Sequence, residues 1–204
     1  MSRPLMQRRH ILATTLALAG CGLSERPYEQ KRDWPLTARR AQTLPAPARG
    51  PVLLVRAMQA APGLDARGLR SLRADGSVRA DFFETWTVPP AQAVEAALRD
   101  WLAASGRPAA VLAPGSRLTA DYALETTLTE LIADPAQRVA RAAMSLVVLE
   151  TRDAATRLRA QHALSADAAL DGTDAPALAR AMSQAVATLL GLVEQALAST
   201  LRRA

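Results

Sequence analysis

The spacing of apolar residues changes character repeatedly along this chain, and each change marks an element. Val52-Leu53-Leu54-Val55 is a short unbroken apolar run bounded by Gly50-Pro51, the pattern of a buried strand. Leu69 to Arg73 and Ser77 to Phe83 then flank Asp75-Gly76, a pair that favours the tight turn of a hairpin. Trp86-Thr87-Val88-Pro89-Pro90 ends this extended stretch. From Ala91 to about Ala104 the apolar positions fall at Val94, Ala97, Leu98, Trp101 and Leu102, a helical period closed by Gly106 and Pro108.

The period then returns to two. Tyr122, Leu124, Thr126 and Leu128 alternate with Ala123, Glu125, Thr127 and Thr129 in a half-buried strand over 121–132. After Asp134-Pro135 the alternation resumes over 138–151 with Met144, Leu146 and Val148, and again over 157–164 with Leu158, Ala160, His162 and Leu164 on one face. Three consecutive strands with short polar links predict an antiparallel meander. The last segment reads as a helix: Asp174 can cap it, Pro176 suits its first turn, and Leu178, Met182, Val186, Leu189, Val193 and Leu197 form one apolar stripe. The expected body is therefore residues 51–204, an α+β fold in two layers. Its sheet would be mostly antiparallel, with two amphipathic helices on one face.

Upstream the pattern is different in kind. Residues 22 to 51 are polar and punctuated by Pro27, Pro35, Pro45, Pro47 and Pro51, with no period, which predicts an extended tether carrying Tyr28 and Trp34 as its only large apolar groups. Before it, Arg3, Arg8 and Arg9 precede the apolar run Ile11 to Gly20. That run is about half of the ~20 residues a helix needs to cross a bilayer, so residues 1–20 read as a signal peptide. Leu18-Ala19-Gly20-Cys21 matches the bacterial lipobox, in which small residues fit the peptidase and the cysteine thiol receives a diacylglyceryl group. Two acyl chains there, usually with a third on the amine, would anchor residues 21–50 and the body to a membrane without spanning it. Gly22, where aspartate is the usual inner-membrane retention signal, favours the periplasmic face of the outer membrane. Gln7-Arg8-Arg9 leaves both general and twin-arginine export open.

Composition narrows the chemistry. The chain has 204 residues, half of them apolar, with 25 basic and 19 acidic side chains. Without Arg3, Arg8 and Arg9 the balance falls to 22 basic against 19 acidic, a net of +3 spread along the chain, so no nucleic-acid partner is expected. One cysteine and two histidines exclude a Cys/His zinc site and an intramolecular disulfide, and route any histidine-based catalysis of the mature chain through His162. His162 reads as a half-buried, hydrogen-bonded side chain of its strand. The glycines form no phosphate loop or dinucleotide fingerprint, and Pro114-Gly115-Ser116 is an incomplete nucleophile elbow. Asp81 and Glu84, a carboxylate pair three apart at a strand end, read as surface; Trp86 and Trp101 read as core. No catalytic residue, metal or cofactor is expected beyond the covalent lipid on Cys21.

The order of parts carries a resemblance. A lipobox, a proline-rich leader, the Val52-Leu53-Leu54-Val55-Arg56 strand and a hairpin leading to Phe82-Phe83-Glu84-Thr85-Trp86-x-x-Pro89 come first. An amphipathic helix, the Asp121-Tyr122-x-Leu124 strand with two followers and an alanine-rich closing helix complete the order. This arrangement, over about residues 50–198, resembles the ABC-type transport auxiliary lipoprotein family. The resemblance implies a non-catalytic part of an envelope lipid-transport system with an ABC permease and ATPase and a periplasmic MCE-domain protein. It makes Phe82, Phe83, Trp86 and Pro89 a family motif, structural or for interaction. Exposed sheet edges would let copies pair in a ring. Two other readings are an activator or scaffold of another envelope enzyme complex, such as a peptidoglycan synthase, and a lipid carrier with its own cavity.

Overall fold

The computed structural model describes residues 28–152 and 155–201. Cys21, and with it Leu18, Ala19 and Gly20 of the expected lipobox, lie outside the described residues. In chain order the elements are β1 (Arg32–Trp34), β2 (Val52–Val55), β3 (Gln59–Ala60), β4 (Gly68–Leu72), β5 (Val78–Trp86), α1 (Pro90–Ala103), β6 (Ala110–Leu112), β7 (Tyr122–Asp134), β8 (Val139–Glu150), β9 (Arg157–Ala169) and α2 (Ala175–Leu201).

The meander is the centre of the sheet. β7 pairs antiparallel with β8 from Tyr122↔Glu150 to Asp134↔Val139, and β8 pairs antiparallel with β9. Tyr122, Leu124 and Leu128 face the core. A bulge between Leu128 and Glu130 then inserts an extra residue, so that Leu131 and Ala133 take the inward positions. β9 runs five residues beyond the expected end at Leu164. Its further inward side chains are Ala166 and Ala168, too small to register as an apolar stripe, followed by Leu170.

The sheet is mixed, where a mostly antiparallel one is expected. The opposite edge of β7 receives β2, β3 and β4 in succession, all parallel to it, and β2–β6 and β1–β5 are parallel as well. Only β4–β5 joins the meander in being antiparallel, through the expected hairpin. Its turn places Gly76 at φ +83°, where a side chain is disfavoured, and Asp75 accepts from the Ser77 N–H and hydroxyl. Those bonds hold the Asp75 carboxyl below its ordinary range.

Both helices enter one core with the strands. Val94, Leu98 and Leu102 of α1 and Met182, Val186, Leu189, Val193 and Leu197 of α2 cluster with Leu53, Val55, Leu124, Leu128, Met144 and Leu146. Pro89 and Pro90 start α1: the Pro89 carbonyl accepts from the Ala93 N–H, and Pro90 occupies a position whose N–H would have no partner. Asp174 caps α2 by accepting from the Ala177 N–H at 3.0 Å. α2 is long and apolar enough by composition to span a bilayer, but more than half of its most apolar window is buried in this core.

The tether expected to reach residue 50 is the larger correction. Residues 31–204 form the compact body, and the segment from Lys31 to Gly50 belongs to it. β1 pairs with the end of β5, Trp34 and Leu36 pack on the core, and Ala38 is buried. Trp34, Leu36 and Ala38 are two residues apart, an inward alternation interrupted only by Pro35, which an edge segment tolerates.

Candidate interaction surface

Three features converge where this strap crosses the body. The first is a buried carboxylate. Glu194 of α2 accepts from Arg40 Nε of the strap at 3.0 Å, from Trp101 Nε1 of α1 at 2.9 Å and from Arg107 Nε at 3.2 Å. Burial pushes its pKa up, and the bonds from Arg40, Trp101 and Arg107 outweigh that and hold it below the ordinary value. Glu194 therefore ties the strap, α1, the following loop and α2 at one point. Further along, the Leu44 N–H donates to the Ala104 carbonyl at 2.9 Å, and the Thr37 N–H donates to Ser183 Oγ at 3.2 Å. Open clefts flank the strap, one of about 610 Å³ against α1 at Ala93, Ala97 and Trp101, the other of about 420 Å³ against α2 at Ala179 and Ser183.

The second feature is the motif strand. On β5, Ala80 pairs with Arg70 but Thr85 pairs with Gly68, so Asp81 to Glu84 bow out of the ladder. Asp81 holds the bow by accepting from the N–H groups of Phe83 at 2.9 Å and Glu84 at 3.1 Å, while Arg79 donates to its other oxygen. The opposing backbone comes so near that a β-carbon on Gly68 would lie 2.4 Å from the Asp81 carbonyl oxygen, so only glycine fits. The bow separates the motif residues by environment. Trp86 is 1% exposed and part of the core, whereas Phe82 is 75% exposed, with Phe83 edge-on to it at 5.1 Å. Pro89 starts α1 as described. Trp86 and Pro89 thus serve the fold, and Phe82 faces solvent.

The third feature is the way β1 closes this edge. Glu84 accepts from Arg32 and from Trp34 Nε1, the latter at 2.7 Å, and Thr85 donates to Asp33. Asp81 and Glu84, considered as a carboxylate pair, are each committed to structural hydrogen bonds. Lys31 Nζ sits 5.5 Å from the Phe82 ring centroid.

His162 is half-buried as expected, but its Nε2 meets no hydrogen-bond partner among the described residues, beside an open cleft of about 330 Å³ with Ser199 and Thr200. A further cleft of about 580 Å³ is lined by Leu54, Arg56, Glu125, Thr127 and Val147. Among the described residues no cluster of three His, Cys, Asp or Glu side chains is placed to hold a metal ion. The residues that sequence reasoning missed are Glu194, Arg40 and Gly68. Glu194 carried a signal, being the one charged residue between Arg180 and Arg202.

Solved structures share the fold: protein XCC0632 of family DUF330 from Xanthomonas campestris, at 23% identity and TM-score 0.64, covers 77% of this chain and 91% of its own. An uncharacterized protein at 12% identity has TM-score 0.66 over 83% of this chain and 99% of its own. Hypothetical protein CT253 from Chlamydia trachomatis, at 10% identity, has TM-score 0.54 over 75% and 98%. No curated protein sequence matches. The profile of the ABC-type transport auxiliary lipoprotein component matches residues 35–193, from the strap into α2, and the chain belongs to that family.

Proposed function

We propose that this chain is a non-catalytic, lipid-anchored component of an envelope ABC transport system that moves lipid through an MCE assembly. In this reading it holds the periplasmic MCE-domain protein at the outer membrane. The observation that carries it is the family match over residues 35–193, joined to a lipobox ending in the only cysteine of the chain. Diacylglyceryl on Cys21, with an N-acyl chain, supplies the anchor, since two or more chains hold a protein on a bilayer where one is marginal. The body contributes position: it offers a rigid surface, and the ABC permease and ATPase are reached through the MCE protein. β9 supports self-association, because its outer edge has no strand partner among the described residues over 13 residues.

Radiolabelled palmitate is expected to enter the wild-type protein and not Cys21→Ala, which leaves the membrane fraction. The full chain is expected to pull down an MCE-domain protein of the same cell. Palmitate incorporation without an MCE partner would retain the anchor and remove the docking role; unimpaired lipid transport in Cys21→Ala would remove the need for the anchor.

A further inference from the structure

The exposed crest of the β5 bow lies where the tether enters the body. Phe82 is 75% exposed with Phe83 edge-on beside it, and Lys31, the first residue of the body, stands over the Phe82 ring. A phenyl group this exposed has no role in the core, and the Asp81 and Gly68 contacts hold it outward rather than letting it fold in. The local charge is basic in effect. Over residues 31–34 and 67–86 there are six basic and four acidic side chains, a net of +2, with Arg32 paired to Glu84 and Arg79 to Asp81. Among the described residues no carboxylate pairs with Lys31.

Reach adds the second argument. Nine residues, 22–30, separate Cys21 from Lys31. Nine residues reach at most about 30–35 Å at full stretch. A body so closely held meets the bilayer often, and it meets it first at the end where the chain enters. Aromatic rings flanked by lysine are the groups that settle at the headgroup layer, the ring among the upper acyl carbons and the ammonium among the phosphates. Leu118 and Leu158 are also exposed, at 70% and 63%, but they lie beyond β6 and on β9, away from Lys31 in the strand order.

We infer that the crest formed by Phe82 and Lys31 is a membrane-resting surface, which inserts into the headgroup layer of an anionic bilayer and fixes the orientation of the body. The inference deepens the proposed anchoring and rests on it only for the body being held near a membrane. The test therefore supplies that proximity independently. The mature chain with Cys21→Ser and an N-terminal histidine tag is held on nickel-chelating lipid in mixed phosphatidylethanolamine and phosphatidylglycerol vesicles. Phe82→Cys or Leu118→Cys then gives a single thiol for an environment-sensitive fluorophore. Expected is a blue-shifted emission at position 82, quenched by brominated acyl chains, and a water-like emission at 118. Without the chelating lipid, Phe82→Ser should weaken vesicle binding about five- to ten-fold, the effect of withdrawing part of a phenyl ring from an apolar medium, and Phe82→Trp should restore it. A water-like, unquenched label at 82 on protein held at the vesicle surface overturns the inference and assigns the crest to a protein partner. Failed palmitate labelling of Cys21 overturns the anchor alone.

Discussion

Replacing Glu194 by glutamine keeps the shape of the side chain and removes its charge from a site where three donors converge. Arg40, Trp101 and Arg107 all donate to the carboxylate, whose side chain is 10% exposed. Hydrogen bonds to a charged group contribute about 1.5–3 kcal/mol each, and breaking a buried ion pair costs about 3–5 kcal/mol. Two effects reduce that here: the glutamine carbonyl still accepts one bond, and the Arg107 side chain, 43% exposed, regains water. The expected loss is about 2 kcal/mol at neutral pH. The sign of the pH dependence follows from the lowered pKa of Glu194. A carboxyl held below its ordinary value of 4.5 in the folded state contributes stability that is fully present above that value and is lost as pH falls through the folded pKa. Urea titrations of wild type and Glu194→Gln should therefore differ by about 2 kcal/mol at pH 7 and converge in acid, where the wild-type carboxyl is also neutral. Hydrogen exchange should localise the change, with the Thr37 and Leu44 amides exchanging faster in the variant. A difference that persists in acid, or none at neutral pH, refutes the assignment of Glu194 as the clamp of the strap.

Other substitutions probe other joints. Gly68→Ala places a β-carbon 2.4 Å from the Asp81 carbonyl oxygen, a backbone atom that cannot swing away. A loss of roughly 2–4 kcal/mol in chemical denaturation is expected, with faster exchange of the Phe83 and Glu84 amides. Gly106→Ala combines φ +65° with a β-carbon 2.7 Å from Leu44 Cβ, so about 1–3 kcal/mol should be lost, together with protection at Leu44. Thr126→Val should raise stability by up to ~1 kcal/mol in the same assay, since the Thr126 hydroxyl is buried without a partner. A destabilised Val variant would mean that the hydroxyl has a partner in solution.

The parts legible in the sequence were those governed by local periodicity. β7, β8 and α1 follow the alternating and helical patterns to within two residues at each end, because one face of each is lined by large apolar side chains. β9 is legible only to Leu164, beyond which alanines replace them, and β6, three residues long, has too few positions for a period. The parallel pairings of β2, β3 and β4 with β7 join residues some sixty to seventy positions apart, and no local pattern encodes them. At the candidate surface, the motif residues were legible as a group but not their division of labour. That division depends on the bow, which needs Gly68 from another strand. The strap is not legible as part of the body because its prolines carry the composition of a linker while only three alternating positions, Trp34, Leu36 and Ala38, carry its burial.

The docking of the strap bears on function. A tether ending at residue 50 would leave 29 residues between Cys21 and the body, enough to reach about 95 Å at full stretch; one ending at residue 30 leaves nine and about 30 Å. The difference is the strap, and the strap is held by the β1–β5 pairing, by Trp34 and Leu36 against the core, by the Glu194 cluster and by the Leu44 bridge. These contacts lie in series along 20 residues, so releasing the strap requires breaking all of them, whereas loss of any single one shortens the docked segment only in part. With an anchor at Cys21, the docked strap makes the body a short-range fixture of the membrane surface. On the proposed anchor, a partner that needs the body must therefore come to the bilayer, which is the arrangement the proposed docking role requires.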